Sequence, residues 1–265
     1  MPLNKHPRIL GISHFAVKVS NIEKSVCFYR DFLGFQEQGR LNYLNDGSLM
    51  LVVFKVNNMQ TIEVFTGFQP GQERLHQIAF YVDDIELMRE HLNNFGYEVI
   101  KPFIGQMKNS GFIITDPCGY SIEFLQHMPG GWTLRDKGKF MPESRISSNI
   151  THGGVVVNDL SEALNFYGRI LGFEESWRDC TEQSSRIHMT IPGSTHYIEL
   201  ISDSRTTPYF ALDVPSIEIA SSRLENASYR EKYSVILKPS ISEFGKRILT
   251  LSNNDGARIE LTETR

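Results

Sequence analysis

Polar and apolar positions alternate along short stretches of this chain and switch to a helical spacing between them. In Ser13 to Val19, the residues Phe15, Val17 and Val19 share one strand face and leave His14, Ala16 and Lys18 on the other. A helix is predicted next. Ile22, Val26, Tyr29 and Leu33 recur at helical spacing, Ser20 with Glu23 reads as a capping box, and Gly34 sits where a left-handed C-cap would stop the helix. Ser48 to Val56 and Ile62 to Phe65 read as strands. The order then recurs: Asp83 or Asp84 caps a helix through Phe95 that Gly96 ends, and Gly111 to Thr115 with Tyr120 to Gln126 forms a hairpin across Asp116 to Gly119.

The second half of the chain repeats the first. Ile150 to Val157 matches the first strand, Asp159 with Glu162 opens a helix carrying Leu160, Leu164, Tyr167 and Leu171, and Gly172 closes it. Phe-Leu-Gly-Phe ends the first helix at Phe35, and Ile-Leu-Gly-Phe ends its copy at Phe173. Ile187 to Ile191 and Tyr197 to Ile201 follow as strands, then a weaker helix from Ser216 to Glu225, and a hairpin of Lys246 to Leu251 with Arg258 to Thr262 across Asn253 to Gly256. The expected architecture is α+β: four βαβββ modules in two tandem domains with cupped mixed sheets. The domains are read as 8–127 and 149–264, with 128–148 a linker by its Gly, Pro and charged content.

One unit recurs in all four modules, an Ile-Glu pair followed by an apolar residue, at Glu63, Glu123, Glu199 and Glu260. In a strand the flanking apolar residues pack on the core while the Glu projects from the opposite face. About fifty residues upstream of each Glu lies another strand start, and His14, His76 and His152 stand at three of these, with Pro208 at the fourth. A His and a Glu on the face away from the helix converge if the sheet curls toward a second module. Imidazole nitrogens and carboxylate oxygens at four points suit an octahedral divalent ion, with two positions left for water or substrate.

Composition narrows the partners. With 265 residues, 40% of them hydrophobic, the chain can bury a sizeable core, and a formal net charge of -4 without any block of like charge argues against nucleic acid. No apolar run is long enough to span a bilayer, and the first ten residues lack the apolar core of a signal peptide, so a cytoplasmic protein without a membrane partner is expected. Cys27, Cys118 and Cys180 are an odd number without metal-ribbon spacing and indicate no disulfide framework.

The module order, the His on the first strand, the Leu-Gly-Phe helix exit and the Asp-Pro-x-Gly-x-x-x-Glu ending at Glu123 resemble the vicinal oxygen chelate superfamily. That superfamily groups glyoxalase I, bleomycin and fosfomycin resistance proteins, methylmalonyl-CoA epimerase and extradiol dioxygenases. The resemblance implies glyoxalase-like domains around one divalent ion (Ni, Co, Zn, Fe or Mn) that binds two adjacent oxygens of a small-molecule substrate. Carried over by position, the metal ligands are His14, Glu63, His76 and Glu123, with Glu63 and Glu123 as candidate catalytic bases. If the middle modules pair instead, the set becomes His76, Glu123, His152 and Glu199. Four ligands favour lyase or isomerase chemistry by proton transfer. The alternatives are an extradiol-type dioxygenase, against which Ile113 stands at the position of a familiar Tyr, and a protein that sequesters a ligand without turnover. A homodimer is compatible with each.

Overall fold

The structure is a computed structural model, and it describes residues 7–181, 184–225, 236–241, 247–252 and 255–263. The first module runs β1 (Ile9–Lys18), α1 (Ile22–Cys27), β2 (Gln36–Asn42), β3 (Leu49–Lys55) and β4 (Thr61–Phe65). The second runs β5 (Leu75–Val82), α2 (Ile85–Asn94), β6 (Phe103–Ile104), β7 (Ser110–Thr115) and β8 (Ser121–Gln126). A short α3 (Trp132–Arg135) precedes the third module, β9 (Ile150–Val156), α4 (Leu160–Leu164), β10 (Glu174–Cys180), β11 (Ser185–Thr190) and β12 (Tyr197–Ile201). The fourth is β13 (Tyr209–Val214), α5 (Ile217–Glu225), β14 (Ile236–Ile241), β15 (Arg247–Ser252) and β16 (Arg258–Glu263). The expected βαβββ order is present four times. The Asn253 to Gly256 turn lies partly outside the described residues.

Hydrogen bonding joins the strands into two mixed sheets, one from each half of the chain, ordered β2-β3-β4-β1-β5-β8-β7-β6 and β10-β11-β12-β9-β13-β16-β15-β14. Within modules, the first strand pairs with the last in parallel, as in β1 with β4 and β5 with β8. The strands that escaped the sequence pattern are β2, β6, β10 and β14, all at or next to a sheet end. In β10 no residue is buried, so no apolar alternation marks it.

The helix boundaries follow local chemistry. Ser20 is not the cap expected of it: its hydroxyl donates to Asp255, and Asn21 takes the capping role, its side-chain oxygen accepting from the Lys24 amide at 3.0 Å. Asp159 and Asp84 cap as expected, accepting from Glu162 and Leu87 amides. Gly34, Gly96 and Gly172 end their helices at φ +81°, +89° and +76°. Beyond α1 and α4 the backbone widens into π-helical turns at Phe28–Phe32 and Asn165–Ile170. There two consecutive aromatics are both buried, Phe28 beside Tyr29 and Phe166 beside Tyr167, with rings edge to face at 5.1 and 5.0 Å.

Compact packing divides the chain differently from the sheets. One unit holds the described residues of His14–His76, Gly138–His152 and Pro208–Arg265, so it joins the first module to the fourth. Its core includes Phe15 stacked on Phe210 at 5.6 Å. The other holds those of Met1–Ser13, Gln77–Lys137 and Gly153–Thr207, joining the second module to the third. There Phe80 meets Phe173 edge-on at 5.4 Å, and the buried Tyr167 hydroxyl donates to Asp116 Oδ2 at 2.9 Å. The segment read as a linker is anchored: Arg145 donates to the carbonyls of Val56, Met141 and Pro142, and the Ile146 amide donates to Leu33 O. Among the described residues no helix is long and apolar enough to cross a membrane.

Candidate metal centre

Parity in β1 and β4 determines the first pair of residues. Ala16 lies opposite Glu63, so His14, two residues earlier, shares Glu63's face. Both side chains are buried, at 3% and 4% exposure, and His14 Nδ1 lies 3.6 Å from Glu63 Oε1. That is longer than a hydrogen bond, and it is a gap that two bonds of about 2.1 Å to one ion can span.

The same parity in the second module corrects the sequence alignment. Ala79 lies opposite Glu123 and Gln77 opposite Ser121, so the position equivalent to His14 is Gln77, not His76. The Gln77 amide donates to Glu123 Oε2 at 3.0 Å. His76, one residue earlier, packs its ring edge-on against Phe65 at 4.9 Å. Burial and the nearby Lys18 charge lower its pKa to about 4, so its imidazole is neutral at pH 7. The fourth module shifts likewise: Ala211 lies opposite Glu260, and the residue in His14's position is Tyr209, not Pro208. A one-residue error in reading a strand start exchanges the two faces.

Around Glu123 the geometry is tight. A methyl group on Gly111 would sit 2.8 Å from Phe124 O and 3.3 Å from Glu123 Oε1, so the bare backbone there gives the carboxylate its room. Ile113 lies directly opposite Glu123 in β7 and is 47% exposed, an apolar surface beside the carboxylate.

The glutamates of the second half have different neighbours. Glu199 Oε1 lies 3.3 Å from Arg186 Nη1 and 3.5 Å from His188 Nε2, with His188 stacked on Tyr197 at 4.2 Å. Glu260 is ion-paired with Arg258, whose guanidinium lies 4.7 Å over the Tyr209 ring. His152 is hydrogen-bonded through Nδ1 to Thr151 at 2.9 Å and through Nε2 to the Tyr209 hydroxyl at 3.4 Å. Among the described residues no three His, Cys, Asp or Glu side chains are gathered closely enough to form a ready metal cluster. Within one unit the donor chemistry nevertheless fits a divalent ion, the His14 imidazole and the Glu63 carboxylate being ordinary ligands of first-row divalent metals. His188, Arg186 and Arg258 were not singled out by the sequence pattern, although their two-residue spacings on the glutamate-bearing faces were visible in it.

Comparison with known proteins agrees with the fold. The model of the Glyoxalase/Bleomycin resistance protein/Dioxygenase superfamily matches residues 11–124 and 149–261, and the chain belongs to that superfamily. A lactoylglutathione lyase of Neisseria meningitidis serogroup A is 29% identical over 135 residues, 46% of this chain and 94% of its own. Among solved structures, the 2,3-dioxygenase LapB from Pseudomonas sp. KL28 superposes with a TM-score of 0.74 at 17% identity, covering 97% of this chain and 93% of its own. The Mn(II)-bound glyoxalase from Novosphingobium aromaticivorans gives 0.73 at 17% identity, covering 97% and 83%.

Proposed function

We propose that the first half is a divalent-metal site of the vicinal-oxygen-chelate kind and that the protein is an enzyme moving a proton on a small substrate held through two adjacent oxygens. The observation that carries this reading is the buried His14–Glu63 pair, with donor atoms 3.6 Å apart on a register-defined face. His14 and Glu63 are the ligands proposed to hold the ion, and in the second module Gln77 takes the register position beside Glu123 that His76 was expected to fill. When bound, the ion supplies Lewis acidity toward a carbonyl and its neighbouring oxygen.

The chain's own residues divide the remaining work. Glu63, buried against His14, orients the imidazole. Glu123 is only half-buried and is the better proton acceptor, since a base must reach substrate while its conjugate acid keeps a partner. The Gln77 amide, 3.0 Å from Oε2, holds that carboxylate at a fixed angle. Ile113 offers the apolar part of a substrate a surface next to Glu123.

Ring cleavage is the second reading, since the fold is shared equally with a 2,3-dioxygenase and a glyoxalase structure, each covering 97% of this chain. Gln77 weighs against it, because iron in such chemistry is held by two imidazoles and one carboxylate and here one imidazole is replaced by an amide. The test is metal analysis of the purified protein, followed by turnover assays. His14→Ala and Glu63→Ala are expected to remove the ion, and the loaded protein to consume a hemithioacetal or related hydroxy-carbonyl without oxygen uptake. Full metal retention in both variants would overturn the site. Oxygen uptake with catechol would replace the reaction, and inertness to both substrate classes would leave ligand sequestration.

A further inference from the structure

A cavity of about 330 Å³ lies inside the compact unit that joins the first module to the fourth, where residues 143–148 meet Asp213 of β13 and the following Pro215. None of its lining residues belongs to the candidate metal centre. Its walls are held by bonds that need no ligand. Arg145 Nε donates to Val56 O at 3.1 Å, and its Nη1 donates to Met141 O and Pro142 O at 3.1 and 2.9 Å. The buried Ser147 hydroxyl is shared between Asn149 O at 3.1 Å and Asp213 Oδ1 at 3.2 Å. The Asp213 amide donates to Asn149 O, and the Asn57 side-chain amide donates to Ser148 O at 3.0 Å. The Ser148 side chain is exposed, so the cavity is open to solvent.

The charges in this cavity are arranged unusually. Arg145 and Asp213 line it together, yet among the described residues they form no ion pair with each other, and Arg145 Nη2 meets no protein acceptor. The Asp213 carboxylate is held by the uncharged side chains of Ser147 and Asn149, and burial raises its pKa, as expected of a carboxylate without a cation beside it. Two unlike charges held apart in a half-buried cavity are each under-compensated, and one ligand carrying both charges satisfies them together. We propose that this cavity binds a small zwitterion of the α-amino-acid class, with its ammonium on Asp213 and its carboxylate on Arg145 Nη2 and the Ser148 hydroxyl. Ile146 and Pro215 offer an apolar wall to the ligand's side chain. Glu143, exposed and also on the lining, adds a second negative charge, so a ligand that is only an anion is disfavoured. The groups that hold the walls are already hydrogen-bonded, which lowers the ordering cost of binding. The assignment does not depend on whether the first half holds a metal.

Isothermal titration of the full chain with three probes tests it: L-valine, isobutylamine, which lacks the carboxylate, and 3-methylbutanoate, which lacks the ammonium. L-Valine is expected to bind saturably at one site per chain, and each single-charge probe at least about tenfold more weakly, because each forfeits one charge-assisted contact. Asp213→Asn is expected to weaken L-valine by about tenfold or more, and to leave the already weak 3-methylbutanoate no weaker. Ser148→Ala, at an exposed position, removes one contact to the carboxylate and decides the matter should Asp213→Asn not fold: it is expected to weaken L-valine and leave isobutylamine unchanged. No heat and no saturation with L-valine on the folded protein overturns the proposal. So does either single-charge probe binding as tightly as L-valine, or L-valine affinity unchanged in a folded Asp213→Asn or in Ser148→Ala.

Discussion

His196 illustrates how one ring nitrogen ties stability to pH. Its Nδ1 accepts from the Ile12 amide at 3.1 Å, which requires that nitrogen to be unprotonated, and burial lowers its pKa below 6.5. The unfolded chain therefore binds a proton that the folded chain refuses. The contribution to stability is complete above about pH 6.5 and is lost as the pH falls through the lowered folded value. Urea midpoints at pH 7 and pH 5 should fall more steeply for the unsubstituted protein than for His196→Asn, whose side chain offers an acceptor that does not titrate. Equal slopes would remove His196 from the account. Gln77 is the second case. Gln77→Ala is expected to lower turnover more than His76→Ala does, because Gln77 holds the Glu123 carboxylate and His76 packs on Phe65. Turnover assays of the two variants side by side decide between them.

Elements carry their own consequences. The turn Asp116–Gly119 is organised by the Asp116 carboxylate, which accepts from the Cys118 and Tyr120 amides through Oδ1 and from the buried Tyr167 hydroxyl through Oδ2. Burial raises the Asp116 pKa, and these three donors pull the other way. Tyr167→Phe removes one of them inside the core, and a loss of about 1–3 kcal/mol is expected from denaturant unfolding. A neutral result would mean that water replaces the hydroxyl. In β7, Gly111→Ala drives a methyl group to 2.8 Å from Phe124 O. Overpacking of about 1–3 kcal/mol is expected there. Turnover should fall with it, since Glu123 is the second neighbour of that methyl group.

At the scale of the molecule, each compact unit takes one module from each half of the chain. Phe15 needs Phe210, and Phe80 needs Phe173, partners that a cut between the halves would separate. Fragments 1–137 and 138–265 expressed alone are therefore expected to bind hydrophobic dyes and resist refolding, and together to recover native-like circular dichroism. Two independently stable fragments would refute this dependence.

The sequence by itself determined the module order, the helix ends at Gly34, Gly96 and Gly172, and the presence of a glutamate between apolar neighbours on the last strand of every module. These are local properties, set by alternation, backbone conformation and capping within a few residues. It missed β2 and β10 because these edge strands carry little alternation to read: β10 buries no residue and β2 only Gln38 and Leu41. It placed His76 and Pro208 one residue away from Gln77 and Tyr209, because a ragged strand start leaves parity undefined until a partner strand sets the register. The widened turns at Phe28 and Phe166 were hidden as well, since the demand to bury two adjacent aromatics comes from the core they enter. Only tertiary structure decided that sheets form within halves while compact cores form across them. Hydrogen-bonded pairing and side-chain packing are separate forces acting on opposite aspects of the same strands, and the pairing of apolar faces depends on segments more than a hundred residues apart, as in Phe15 and Phe210.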